Sequence, residues 1–177
     1  LSRAGIHRIN ISLDTLQGEK YRTITRGGRL EDALEGIRAA MEVGMNPIKI
    51  NTVLIGGFND DEIPALVDLT RRAPLEVRFI VLMPVGCTQA FGPAAYLPCQ
   101  SVLERVPQPQ PVDVIGVTER YRLPGAPGRV GLIRPLSHHF CARCDRLRLT
   151  ADGTLKPCLH SAEEVSLRGL HGEQLRQ

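Results

Sequence analysis

Three short β-rich runs, residues 8–14, 48–55 and 77–83, alternate apolar with polar side chains and are separated by longer helical stretches. This combination restricts the fold more than any other feature of the chain. Strands joined through helical crossovers run parallel, because the helix returns the chain to the same end of the sheet. An open parallel sheet with helices on both faces needs strands that are apolar on both faces. Here Ile9, Ile11 and Leu13 alternate with Asn10, Ser12 and Asp14, Ile48 and Ile50 alternate with Lys49 and Asn51, and Arg78 interrupts Val77 and Phe79. One face of the sheet is therefore polar. Polar groups facing inward from successive parallel strands suit a β/α barrel whose interior mouth holds a site. An edge sheet with one solvated face fits the same pattern, and alternation alone does not choose between the two.

The connecting segments agree with β-α units. In residues 30–43, Leu30, Ala33, Leu34, Ile37 and Met41 fall on one helical face, and Gly44 supplies the stop. Residues 61–72 begin acidic and end with Arg71 and Arg72, the order a helix dipole favours, and Pro64 suits the first turn. Between residues 84 and 127 the composition shifts to eight of the chain's 13 prolines, with one short helical stretch near 100–105. Such a segment reads as a connection between domains. Residues 128–133 then read as a strand, and residues 146–150 and 154–159 flank Ala151-Asp152-Gly153, a hairpin turn. The expected division is thus 1–85 for the β/α part, 86–127 for the connection and 128–177 for a C-terminal region. The chain opens on Leu1 with Gly5 reading as a helix C-cap, so it is expected to continue upstream.

Composition narrows the function classes. A 177-residue chain that is 42% hydrophobic can bury a core, and 22 basic against 19 acidic residues is too balanced for a general nucleic-acid or membrane-surface binder. Within the basic set, however, there are 19 Arg and 3 Lys. Arg forks bind phosphate and carboxylate oxygens bidentately, so a few placed together can recognise an anion despite the modest net charge of +3. Four Phe, three Tyr and no Trp leave few stacking surfaces for single-stranded nucleic acid. No apolar run approaches the roughly 20 residues of a membrane span, and a cytoplasmic location is the expectation.

The five cysteines are an odd number, and three of them crowd into the C-terminal region. Cys141 and Cys144 form a CxxC knuckle, and Cys158 follows after thirteen intervening residues. If Asp152-Gly153 turns the chain, Cys158 returns near Arg146 and Cys144, and strand alternation places Arg146 and Arg148 on the Cys144 side. Such spacing argues for metal ligation. Zinc would take a fourth ligand from His138, His139 or His160, and an iron–sulfur cluster held by three thiolates would keep one iron open. Spacing alone favours zinc, since small CxxC knuckles more often bind it. Cys87 and Cys99 read as incidental.

The run from Cys141 to Leu159 resembles the C-terminal cluster signature of the GTP 3',8-cyclases of molybdenum cofactor biosynthesis, the MoaA family of radical S-adenosylmethionine enzymes. The resemblance extends through Ile11-Ser12-Leu13-Asp14, Lys49-Ile50-Asn51, Arg78-Phe79-Ile80, Met83-Pro84-Val85-Gly86 and residues 131–137. It moves the preference from zinc to iron–sulfur. The implied fold is α/β: the later strands of a partial β/α radical S-adenosylmethionine barrel of TIM-like type, followed by a small iron–sulfur region with a β-hairpin.

The implied chemistry uses two clusters. An N-terminal [4Fe-4S] cluster cleaves S-adenosylmethionine to a radical that abstracts hydrogen from the ribose 3' carbon of GTP, and the product passes to a cyclic pyranopterin monophosphate synthase. Carried over by position, Cys141, Cys144 and Cys158 hold the second [4Fe-4S] cluster with one open iron. Lys49, Arg78, Arg146 and Arg148 then bind GTP, and Ser12 and Met83 contact S-adenosylmethionine. An electron donor is a further implied partner, and a homodimer is left open. The family's CxxxCxxC motif is not among these 177 residues, so this chain alone is expected to lack radical activity and, with strand edges uncovered, to aggregate or require a partner. Two other readings stand beside this one, a zinc-knuckle module for an anionic or nucleic-acid partner and a degenerate homologue that keeps the fold without the chemistry.

Overall fold

Strand and helix alternate through the first part of the chain: β1 (Ile9–Ser12), α1 (Gly18–Ile24), α2 (Leu30–Glu42), β2 (Ile48–Leu54), α3 (Ile63–Arg72) and β3 (Leu75–Val81). The structure, a computed structural model, describes residues 1–84, 88, 91–134, 147–158 and 161–175. The chain divides into two units, Leu1–Phe140 and Cys141–Gln177. In the first unit, α4 (Gln100–Glu104), β4 (Gln110–Ile115), β5 (Thr118–Arg122) and β6 (Arg129–Ile133) follow β3. The six strands form one sheet in the order β1-β2-β3-β6-β5-β4; β1, β2, β3 and β6 run parallel, and β5 and β4 are added antiparallel. The second unit contains a small antiparallel sheet of β7 (Arg148–Leu149), β8 (Thr154–Lys156) and β9 (Val165–Ser166).

Segregation of side chains holds the large sheet in place. Ile48, Ile50, Leu54, Leu75, Val77, Phe79, Val130 and Leu132 are buried together with Leu30, Ile37 and Ala40 of α2 and Ile63, Leu66 and Val67 of α3. A side-chain period of two sends the alternate residues to the opposite face, which carries the polar set. At about 25 cal/mol per Å² of apolar surface removed from water, the helix-covered face is the main source of stability in this unit.

The structure departs from the expected organisation in two places. The proline-rich stretch 86–127, read as a connection, contains two sheet strands, β4 and β5, beside the expected short helix, α4. Pro111 is accommodated because β4 is an edge strand with a register shift between Pro111 and Asp113, where a missing N–H costs no ladder bond. In α2, Leu34 and Met41 of the expected apolar stripe are 39% and 37% exposed, whereas Ala40 is buried. The helix is rotated so that Leu30, Ile37 and Ala40 face the sheet. The expected hairpin is present: Arg148 pairs with Lys156, Leu149 with Leu155, and Gly153 turns the chain at φ 81°.

Candidate functional site

Strand register builds the polar face as two rows across the sheet. In the first, Ser12 lies beside Asn51, Asn51 beside Arg78, Arg78 beside Gly131, Gly131 beside Arg120 and Arg120 beside Asp113. The second row runs Asn10, Lys49, Glu76 and Arg129. Three residues expected to bind ligands from sequence, Ser12, Lys49 and Arg78, therefore stand on one face of one sheet.

The electrostatics of this face are uneven. Glu76, 6% exposed, accepts a hydrogen bond from Nε of Arg78 at 2.5 Å, and its other oxygen lies 3.5 Å from an Nη of Arg120. Arg120 in turn grips both carboxylate oxygens of Asp113. Lys49 and Arg8 have no ion-pair partner among the described residues, and with Ile9 and Asn10 they line a cavity of about 290 Å³. Burial and the neighbouring Arg78 hold the Lys49 ammonium below its ordinary value, with Arg8 and Arg120 adding to the shift and Glu76 opposing it. Buried or crowded cations with too few carboxylates favour an anionic ligand, which relieves both costs. Asn51 adds a buried Oδ1, between Ser12 and Arg78, with no hydrogen-bond partner among the described residues. Arg8, Asn51, Glu76 and Arg120 were not singled out from sequence. For Asn51 the alternation in β2 was a usable signal, whereas the Arg120 partnership depends on a strand 44 residues further along the chain.

The ends of the parallel strands are fixed by a buried polar knot. Asn59, fully buried, donates from Nδ2 to the carbonyls of Asp14 and Val53 and accepts from the Ile55 N–H at 2.9 Å. The Asp14 carboxylate accepts from the Val53 N–H at 2.7 Å, and burial raises its pKa against that bond. Thr15 donates to Glu62, whose carboxylate also accepts from the Leu16 N–H at 2.7 Å. These contacts tie the chain just beyond Ser12 to the end of β2. Ser12, exposed at the last position of β1, and Met83, half-buried two residues past β3, both lie at the C-terminal ends of parallel strands, the end that carries sites in β/α barrels.

Of the expected cluster ligands, Cys158 is described and exposed; Cys141, Cys144 and Arg146 lie outside the described residues, as do the alternative zinc ligands His138, His139 and His160. Among the described residues no group of three His, Cys, Asp or Glu side chains is gathered to hold a metal ion. Cys99 has the opposite chemistry to a ligand. It is fully buried, its thiol points at the carbonyls of Phe79 and Ile133, and burial pushes its pKa up to about 12. The exposed Cys158, two residues beyond β8, fits a thiolate donor. Arg148 is exposed at the start of β7, in register with Lys156.

Fold and site together define a β/α protein whose sheet is helix-covered on one face and carries an anion-attracting polar set on the other. Residues 75–177 match the family model described as Molybdenum Cofactor Synthesis C, and residues 1–70 match that of the Radical SAM superfamily. The chain belongs to the molybdenum cofactor synthesis C family. The Radical SAM match ends within α3 and the other begins at the start of β3, so the large sheet takes β1 and β2 from the former and its remaining strands from the latter. Radical SAM proteins in general use a 4Fe-4S cluster and S-adenosylmethionine.

Among curated proteins the chain is 50% identical to a GTP 3',8-cyclase of Peptoclostridium acidaminophilum, over 99% of this chain and 56% of that protein. It is 48% identical to the GTP 3',8-cyclase of Alkaliphilus metalliredigens, over 94% and 53%. It is 46% identical to that of Moorella thermoacetica, over 96% and 54%. The chain spans about half the length of the curated relatives it matches. Among the described residues no helix is long and apolar enough to cross a membrane.

Proposed function

We propose that the protein to which this chain belongs is a GTP 3',8-cyclase, converting GTP to 3',8-cyclo-7,8-dihydroguanosine 5'-triphosphate. The observation that carries the reading is Lys49, which has no ion-pair partner among the described residues and shares the polar face with Arg78, in a chain about half of whose residues are shared with proteins of that name. In this reading Lys49 and Arg78 hold the triphosphate, each through charge-assisted bonds worth roughly 1.5–3 kcal/mol when well formed. Arg146 and Arg148, which lie between Cys144 and Cys158 in the sequence, are proposed to bind GTP as well. Ser12 and Met83 contact S-adenosylmethionine. Cys141, Cys144 and Cys158 hold a [4Fe-4S] cluster that, when bound, supplies an open iron for the guanine. A second [4Fe-4S] cluster serves S-adenosylmethionine cleavage.

The chain's own residues bind and orient; the cofactors supply the radical chemistry. An electron donor and a downstream cyclic pyranopterin monophosphate synthase complete the proposed partners, and the cytoplasm, where thiolate ligands stay reduced, is the proposed location. In the complete protein, Lys49→Ala and Arg78→Ala should each raise the Kd for GTP about tenfold, as loss of one charge-assisted bond requires. Cys158→Ser should remove one cluster's worth of iron and sulfide after anaerobic reconstitution. Unchanged GTP affinity in both cation variants would overturn the assignment of this face to the nucleotide.

A further inference from the structure

The ion pairs on the polar face form a chain of alternating charge: Asp113, Arg120, Glu76, Arg78. Its members come from β4, β5 and β3, and Arg120, Glu76 and Arg78 are 12%, 7% and 12% exposed at their side chains. The chain has one open end. Asp113 uses both oxygens on Arg120, and Glu76 uses one oxygen on each arginine. Arg78 is engaged through Nε alone among the described residues, which leaves its terminal nitrogens available.

We propose that Glu76 is a positioning residue for nucleotide binding: it locks the Arg78 guanidinium by its Nε edge and presents the terminal nitrogens to the phosphates, and the Arg120–Asp113 pair holds Glu76 in place. This rests on the assignment of Arg78 to the nucleotide phosphates. A flexible arginine loses conformational freedom when it binds, and one already fixed loses less, so affinity rises without a new contact to the ligand. The geometry suits that task. Glu76 and Arg78 are two residues apart on one strand, hence on the same face, and the missing Cβ of Gly131 gives the Arg78 stem the room it occupies, since a Cβ there would lie 3.0 Å from its Cγ. A carboxylate on a phosphate-binding face would otherwise repel its ligand. Here both of its oxygens are turned to guanidinium groups.

The test is a double-mutant cycle on the complete protein, read by calorimetric titration of GTP. Arg78→Ala should raise the GTP Kd about tenfold. Glu76→Gln, nearly isosteric, should raise it by about five- to tenfold in the natural background and leave it unchanged in the Arg78→Ala background, since contacting residues couple whereas independent ones add. Arg120→Gln should give the same pattern and serves equally if Glu76→Gln does not fold. A loss that persists undiminished in the Arg78→Ala background, or no loss from either variant, overturns the positioning role while the assignment of Arg78 stands. If Arg78→Ala itself leaves GTP affinity intact, that assignment fails and the positioning role with it.

Discussion

Gly131 is the point at which packing on the polar face is least forgiving, and Gly131→Ala should damage both stability and ligand binding. A Cβ at this position would lie 2.8 Å from Cγ2 of Thr118 and 3.0 Å from Cγ of Arg78. Thr118 is 2% exposed and cannot withdraw, so the Arg78 stem must give way. Moving it a few tenths of an ångström strains the short bond from Arg78 to Glu76. Overpacking costs about 1–3 kcal/mol, and misplacing a charge-assisted bond costs the nucleotide about 1.5 kcal/mol or more, roughly tenfold in Kd. Guanidinium unfolding and GTP titration of the complete protein measure the two effects separately. Gly36→Ala, on the exposed face of α2 with no atom within 4 Å of the new Cβ, is the control and should be neutral or stabilising by up to about 1 kcal/mol. If Gly131→Ala unfolds like the natural protein and binds GTP normally, the close packing of β3, β6 and β5 on this face is wrong.

Two further predictions concern titration and reactivity. Because the Lys49 ammonium is held below its ordinary pKa, it loses its proton at lower pH than a free lysine does, and a bound phosphate should draw that proton back. Titrations of GTP in alkaline buffers of different ionisation enthalpy should therefore show proton uptake on binding, absent in Lys49→Met; no uptake at any pH would contradict the crowding of cations around Lys49. Cys99, with its thiol pKa raised to about 12, should resist iodoacetamide in the folded protein while Cys158 in a cluster-free sample reacts. The same shift removes stability as pH rises above the ordinary cysteine value, since the unfolded chain releases that proton first, and Cys99→Ala should flatten this alkaline loss. Rapid labelling of Cys99 under native conditions would contradict its burial.

Much of the β/α part was legible because its signals are local. Alternation located β1, β2 and β3 to within two residues, and it identified the polar face that carries Ser12, Lys49 and Arg78. Asp152-Gly153 likewise marked the turn between β7 and β8, since Gly153 supplies the positive φ the turn needs. What escaped is non-local. The prolines at 107, 109 and 111 conceal β4, which is tolerated only because it is an edge. The seven-residue α1 carries no fully buried residue and so leaves no apolar stripe to read. Nothing local marks Glu76, because the Arg120 against it comes from β5, and the apolar stripe of α2 includes Met41 where the sheet covers Ala40.

In the function proposed above, the protein to which this chain belongs starts from GTP by abstracting hydrogen from the ribose 3' carbon. The measurement that tests this claim directly uses the complete, anaerobically reconstituted protein with S-adenosylmethionine, a reductant and GTP deuterated at the ribose 3' carbon. Mass spectrometry should find deuterium in the 5'-deoxyadenosine and a cyclised nucleotide beside it, and Arg148→Ala should lose most of both signals while still cleaving S-adenosylmethionine to unlabelled 5'-deoxyadenosine. Deoxyadenosine without deuterium and GTP recovered unchanged from the natural protein would contradict the claim.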